Sequence, residues 1–174
     1  MTIERKIARA FAMDVDTWMR HANPWRGILH LTSLPAFILA FWSRLWFGWW
    51  AVIPVALVIL WTWFNPRMFP APQSLDHWMS KAVLGERVWL NRDAVPVPVY
   101  HRTVPNVLSA VAAIGLLFII GGVLVFDPWP TLFGTMMAYL GKLWFSDRMA
   151  WLWEDMGDTT EEYRSWKTIR PPSF

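Results

Sequence analysis

The stretch from Val104 to Phe126 reads VPNVLSAVAAIGLLFIIGGVLVF, and none of its 23 residues is charged. As an α-helix it rises about 35 Å, enough to cross a hydrocarbon core of about 30 Å. Pro105 suits the first turn of such a helix, where an N–H would have no intrahelical partner. The composition around it agrees. Of the 174 residues 55% are hydrophobic and only 17% charged, whereas soluble chains carry roughly a quarter charged residues. The 15 tryptophans belong to a residue type that gathers where one end of the ring is apolar and the other wet. The chain has no cysteine, which excludes disulfides, thiolate nucleophiles and cysteine-ligated zinc or iron–sulfur clusters.

Working outward from this span, Asp127-Pro128-Trp129-Pro130 is a turn without a basic residue. Residues 129–146 then read as a further span that continues as a helix to 156, followed by a tail over 157–174 whose end is expected to be mobile. On the N-terminal side, residues 27–43 and 45–64 are two more apolar runs separated by a tight turn at Ser43-Arg44. The first is short for a full crossing, so a re-entrant hairpin stays open as an alternative. Pro35 and Pro54 fall inside these runs, and each frees a backbone carbonyl for helix packing or for a ligand. Small residues in the central span, Ala110, Ala112, Ala113 and the Gly121-Gly122 pair, permit close helix approach.

Between the two span pairs lies a polar connection. Asn65-Pro66, Pro70 and Pro72 interrupt helix locally, and Val95-Pro96-Val97-Pro98 forces an extended stretch. Within it, Leu75, Trp78, Met79, Ala82, Val83, Trp89 and Leu90 form a helical stripe, which predicts an in-plane amphipathic helix over 74–91. A second one is predicted over 2–20, where Ile3, Ile7, Phe11, Val15 and Trp18 recur at spacings of three and four behind a Thr2 cap. No apolar run there is long enough for a secretory signal. The reading is therefore all-α: a single membrane domain over 1–174 with four transmembrane helices and two amphipathic helices on the cytoplasmic side.

Basic residues set the orientation. Five precede the first span, Arg44 alone follows it, five lie between spans two and three, none between three and four, and five occur from Lys142 onward. The positive-inside rule then places both termini and the middle connection in the cytoplasm of a multi-pass inner-membrane protein. The tryptophans fit that frame. Trp42, Trp46, Trp49, Trp50 and Trp129 mark the outer boundary, and Trp25, Trp61, Trp63 and Trp144 the inner one.

Chemistry-bearing residues gather at the cytoplasmic end. Glu86 falls at the centre of the apolar stripe of its helix, where a lone carboxylate needs a cation or a hydrogen-bond donor. Thr131, Thr135, Tyr139, Lys142 and Ser146 step by four, four, three and four, so the polar groups of the fourth span share one stripe. Lys142 sits within a turn of the interface and can snorkel. If it turns inward, Glu86 is its natural partner. The histidines are His21, His30, His77 and His101, and no two have a metal-binding spacing. A composite of His21, His77 and Glu86 is the one conceivable metal arrangement, and neither a metal site nor a cofactor is predicted. Nucleotide-binding and serine-hydrolase motifs are absent, and the basic patches are topological, so nucleic acid is not an expected partner.

Four segments resemble a known family when taken in order: His21-Ala22-Asn23-Pro24-Trp25; Phe64-Asn65-Pro66 with Phe69-Pro70; Val83-Leu84-Gly85-Glu86-Arg87-Val88-Trp89-Leu90; and Lys142-Leu143-Trp144-Phe145 with Asp147-Arg148-Met149 and Trp151-Leu152. Together they are similar to an uncharacterised family of small prokaryotic membrane proteins, a domain of unknown function, over about residues 15 to 156. The resemblance implies a domain identity without a reaction and supplies no catalytic residues. All four segments map to the cytoplasmic interface, where Asn23 and Asn65 would cap helix ends ahead of their prolines.

Three functions compete. The first is a non-catalytic structural or accessory subunit that packs with partner membrane proteins or with itself among membrane lipids. The second is an enzyme or small-substrate transporter with a cytoplasmic-interface site built from Glu86, Lys142, Asp147, Arg148 and a histidine such as His21 or His77. The third is a pigment- or lipid-binding protein that uses His30 and the tryptophan clusters.

Overall fold

The computed structural model describes residues 15–167, and for residues 15–17 and 65–68 the backbone alone. The part of the first in-plane helix expected over 2–14, Thr2 included, and the end of the tail over 168–174 lie outside the described residues. Among those described the chain is all-helical, without a strand. Its helices are α1 (Val15–His21), α2 (Pro24–Trp42), α3 (Arg44–Phe47), α4 (Val52–Met68), α5 (Trp78–Leu90), α6 (Thr103–Val125), α7 (Pro128–Met156) and α8 (Glu161–Trp166), with 3-10 turns at Gly48–Ala51 and Val99–His101. Two helical stretches are long and apolar enough to cross a membrane, Pro24–Phe64 and Val99–Val125. The α7 segment, with its prolines, glycines and Lys142, is not among them.

Proline placement explains where several helices begin. Pro24 and Pro128 each occupy the first helical position, and Pro54 and Pro105 the third, where an N–H would be orphaned in any case. Pro54 therefore sits at the start of α4 and not inside a span begun at residue 45, because the chain first turns through α3 and the 3-10 turn. Gly48 makes that turn possible with φ +54, a conformation that costs a side-chain-bearing residue energy. At the other end α4 runs through Asn65-Pro66 to Met68. A proline in the last turn removes one hydrogen bond without ending the helix, so Asn65 lies within α4 and its backbone does not mark the helix end.

The chain divides into two compact units. Among the described residues, the first comprises those up to Pro24, Pro70–Pro105 and those from Phe145 on; the second comprises Trp25–Phe69 and Asn106–Trp144.

The first unit has a core of Leu84, Val88, Trp89, Val97, Met149, Leu152, Trp153, Met156, Tyr163 and Trp166. Helix α5 starts at Trp78, later than the apolar stripe suggests, because Ser74 and Asp76 bond to each other in a turn and His77 caps the helix, its Nδ1 accepting from the Met79 N–H at 3.1 Å. Its buried face is Ser80, Ala82, Leu84, Gly85, Val88 and Trp89. That face is turned about one position from the Met79–Ala82–Val83–Glu86 stripe, because Gly85 is the point of closest approach. A Cβ there would overlap the Met149 carbonyl of α7. Just past α1, Ala22 is fully buried and its carbonyl accepts from the Ser80 hydroxyl at 2.7 Å. Asn23 donates from Nδ2 to the Pro70 carbonyl at 3.0 Å. Residues 25–69 thus leave this unit and return to it beside Asn23. The tail is in part a helix. Thr160 caps α8 by accepting from Tyr163 N at 3.1 Å, with Glu161 and Glu162 in the favourable first turn, and Tyr163 and Trp166 insert into the core.

In the second unit α6 and α7 pack antiparallel along a small-residue seam. A Cβ on Gly134 would lie 2.5 Å from the Gly115 carbonyl oxygen, one on Gly141 2.8 Å from that of Leu108, and one on Gly122 would clash with Thr131. The buried positions Leu108, Gly115, Ile119 and Gly122 on α6 and Thr131, Gly134 and Gly141 on α7 recur at heptad-like intervals of three, four and seven. Gly121, Ala110 and Ala113 face outward instead, Gly121 with open space beside it. The threonines of the α7 polar stripe are satisfied by backbone carbonyls four residues back. Thr131 and Thr135 donate to the carbonyls of Asp127 and Thr131 at 2.8 and 2.7 Å. Tyr139 donates to the Leu31 carbonyl of α2, the group that Pro35 leaves without an i+4 donor. Pro35 and Tyr139, 104 positions apart, are thus two halves of one helix contact. α4, continuing from the inward-facing Ala51 of the 3-10 turn, directs a narrow stripe of Pro54, Val55, Val58 and Thr62 partly inward and leaves most of its remaining apolar side chains exposed.

Candidate functional site

The densest set of polar groups lies in the first unit, where the C-terminal half of α7 presents Asp147, Glu154 and Asp155 to neighbouring segments. Asp147 accepts from Trp78 Nε1 at 3.3 Å, and Glu154 pairs with Lys81 at 2.8 Å. Asp155 receives Tyr100 Oη at 3.3 Å and faces His101 Nε2 at 2.8 Å. His101 is 2% exposed and Asp155 is half solvent-exposed, so the imidazole, with Nε2 carrying its proton, can donate to the carboxylate from within the protein. Its Nδ1 is buried without a partner. Arg102 completes this corner by donating from Nε to the Val97 carbonyl at 2.9 Å.

A second cluster surrounds α8. Trp166 stacks on Trp153 with ring centroids 6.2 Å apart and planes within 10°. The Arg87 guanidinium lies 3.6 Å from the centroid of Trp166 and the Lys167 ammonium 5.9 Å from that of Trp153. Two indoles are therefore capped at both ends by cations, an arrangement favoured by the ring quadrupole. Burial pushes the Arg87 pKa down, with Glu162 and Tyr163 opposing it, and its Nη1 has no hydrogen-bond partner. Asn91 donates to the Tyr163 hydroxyl at 3.0 Å, and burial pushes that phenol up. Lys81 is raised chiefly by its hydrogen bond to Glu154, and Tyr100 by burial and then by Asp155.

The residues singled out from sequence are distributed as follows. Glu86 is half-buried and forms no ion pair among the described residues, because the buried face of α5 centres on its neighbour Gly85. Asp147 is held by Trp78, and Arg148 stacks on Trp151 at 4.4 Å with its Nε buried and unpartnered. His77 caps α5, and His21 packs near Trp18 with ring centroids 6.2 Å apart. His21, His77, Glu86, Asp147 and Arg148 all belong to the first unit, whereas His30 and Lys142 belong to the second, both exposed. Among the described residues no three of His, Cys, Asp and Glu come together as a metal site. His101 and Asp155 lie 54 positions apart in unrelated contexts, and nothing in either local sequence signals their pairing.

This geometry latches segments together. Each of the three α7 carboxylates is engaged by a donor from α5 or from the 3-10 turn before α6. A model described as a family of unknown function, DUF6653, matches residues 2–171. The chain belongs to that family. No curated protein and no solved structure matches this family member significantly. The four segments that carried the resemblance fall within the matched range. Their most constrained positions in the structure, Ala22, Asn23, Gly85, Val88, Met149 and Leu152, are all buried contacts of the first unit.

Proposed function

We propose that this family member is a polytopic protein of the cytoplasmic membrane, with its second unit embedded in lipid, that serves as a non-catalytic structural or accessory component packing with a partner membrane protein or with a second copy. The observation that carries the reading is the inverted surface of the second unit. Only 6% of the most apolar window of Pro24–Phe64 is buried, which argues against a core helix of a soluble fold. Side chains such as Leu117 at 68%, Val52 at 68% and Leu57 at 60% stay exposed. A contiguous apolar surface of that extent does not persist in water without a partner phase or partner protein.

The Asn23–Pro70 closure supports two hairpins, α2 with α4 and α6 with α7, and so four crossings. α2 and α4 rise about 28 and 25 Å, close to the core thickness. Charge supports the orientation: in the described part of the second unit Asp127 is the one acidic residue, and the loop-by-loop asymmetry of Lys and Arg favours cytoplasmic termini. An assembly role is preferred to an enzymatic one because the three α7 carboxylates of the first unit, Asp147, Glu154 and Asp155, are engaged in joining segments.

Substituted-cysteine accessibility tests the topology without background, since the chain has no cysteine. An impermeant maleimide should label Trp49→Cys and Trp129→Cys in intact cells, and Asp76→Cys and Arg164→Cys only after permeabilisation. Equal labelling of all four in intact cells would overturn the membrane reading. Native mass spectrometry from membranes should show a stoichiometric partner or a homo-oligomer, and a strictly monomeric protein in native-like lipid removes the accessory role.

A further inference from the structure

The turn between α2 and α4 is built differently from the rest of the second unit. Leu45, Trp46, Phe47, Trp49 and Trp50 are all exposed, Trp49 to 88%, and the next inward contact is Ala51, 7% exposed. The backbone beneath them is nonetheless tied down. The Ser43 hydroxyl donates to the Ala40 carbonyl at 2.6 Å, and the Ser43 carbonyl accepts from Trp46 and Phe47 at 3.0 and 2.9 Å. A hydrogen-bonded turn thus carries five large apolar side chains that are exposed among the described residues. Amid them Arg44 lies 5.5 Å from the centroid of Trp49 and forms no ion pair among the described residues. The acid at the same end of the unit, Asp127, is occupied in accepting the Trp129 N–H at 2.9 Å.

Resting on the bilayer-embedded reading of the second unit, we infer that residues 44–51 form a phospholipid-binding foot, in which Arg44, held against Trp49, takes a lipid phosphate while the aromatic side chains enter the head-group and upper acyl layer. The surface offers one guanidinium, three indole N–H donors and an apolar body, with no acidic side chain of its own. Its occupant must therefore bring strong acceptors and apolar area in one molecule. A phosphodiester lipid does this, and the guanidinium fork matches its phosphate oxygens. An indole keeps its N–H toward the head groups and its ring in the acyl boundary.

The experiment uses the full chain in vesicles, with a spin label on Phe47→Cys as the sole cysteine, leaving Arg44 and Trp49 intact. In phosphatidylcholine–phosphatidylglycerol vesicles the label should sit at head-group depth. Arg44→Gln should move it outward, with a severalfold rise in collisions with a water-soluble nickel chelate. In phosphate-free galactolipid vesicles the wild-type arginine should behave like the glutamine variant. A label in bulk water with wild-type Arg44, no shift on Arg44→Gln, or the same depth in both lipids would each overturn the inference. A label on Leu117→Cys, on the exposed face of α6, separates the two levels of the argument. If it is lipid-buried while the Phe47 label is aqueous, only the foot fails, whereas a water-exposed Leu117 label overturns the membrane reading itself.

Discussion

The two units solve helix packing in opposite ways. The first buries large side chains, with Leu84, Met149, Leu152 and Tyr163 at 1% exposure or less, and joins its segments through side-chain hydrogen bonds such as Lys81–Glu154 and Asn91–Tyr163. The second brings backbones together over glycine, directs threonine hydroxyls to its own helix and turns its large apolar residues outward. Water drives the first arrangement through the hydrophobic effect. In the lipid environment proposed for the second unit that drive is absent, and close van der Waals approach with internal hydrogen bonds is what remains. Buried volume should therefore dominate the stability of one unit and backbone proximity that of the other.

The comparison breaks most visibly at α8. Trp166→Ala removes a ring stacked between Arg87 and Trp153 and should cost about 3–5 kcal/mol, the range for a buried aromatic truncated to alanine. It should also make the 157–160 connection sensitive to limited proteolysis while leaving the detergent-solubilised second unit helical. Uniform loss of both units on thermal melting would mean that the two do not differ in what holds them.

Next come the glycines. Gly85→Ala places a methyl on the Met149 carbonyl and Gly115→Ala one 2.6 Å from the Ala138 nitrogen, so each should destabilise by about 1–3 kcal/mol, Gly85→Ala at the upper end or beyond because its overlap with a backbone oxygen is much deeper. Gly121→Ala, which meets open space, should be neutral or gain up to about 1 kcal/mol from helix propensity. Melting in one detergent ranks all three, and an unperturbed Gly115→Ala would show that the α6–α7 seam is looser than its geometry.

The lines between these elements were unevenly readable in the sequence. Apolar runs and the polar connection stand out because hydropathy is local, and Pro105 announces a helix start, whereas Pro24 and Pro128, read as turn residues, prove to begin helices. The inward face of α5 is offset because Gly85, invisible to a hydrophobic-stripe criterion, decides the closest approach. Gly115, Gly134 and Gly141 are isolated glycines whose shared seam emerges only when α6 and α7 are laid antiparallel, while the conspicuous Gly121-Gly122 pair contributes one member. Helix α8 was hidden by a charged surface pattern, since two buried residues, Tyr163 and Trp166, anchor it. His101 and Asp155 meet through tertiary folding alone.

Alkaline pH sharpens the contrast with a smaller effect. Burial raises the Tyr163 phenol, so above about pH 10, where an unfolded tyrosine ionises, the folded state retains protons that the unfolded state has lost. Stability of the first unit should fall as pH rises from there. Lys81, raised by Glu154, acts in the same direction but is solvent-screened. Tyr163→Phe should flatten the alkaline limb of a pH–melting profile. An unchanged limb would show that Tyr163 titrates normally.

The smallest and most discriminating test joins Pro35 to Tyr139. In the second unit Tyr139→Phe deletes the donor to the Leu31 carbonyl, which Pro35 has deprived of its helical partner, and such bonds inside membrane helices are worth about 0.6 kcal/mol on average and up to about 1.7. Pro35→Ala restores an N–H four residues beyond Leu31, so in that background the tyrosine hydroxyl becomes dispensable. A double-mutant cycle should therefore show a positive coupling of that size, read from melting temperatures of the four proteins in one lipid. Asn91→Ala with Tyr163→Phe gives the matching cycle for the first unit, where no backbone group is rescued. Additive behaviour at Pro35 and Tyr139 would mean that the freed carbonyl finds another donor, and the contrast between the units would then rest on packing alone.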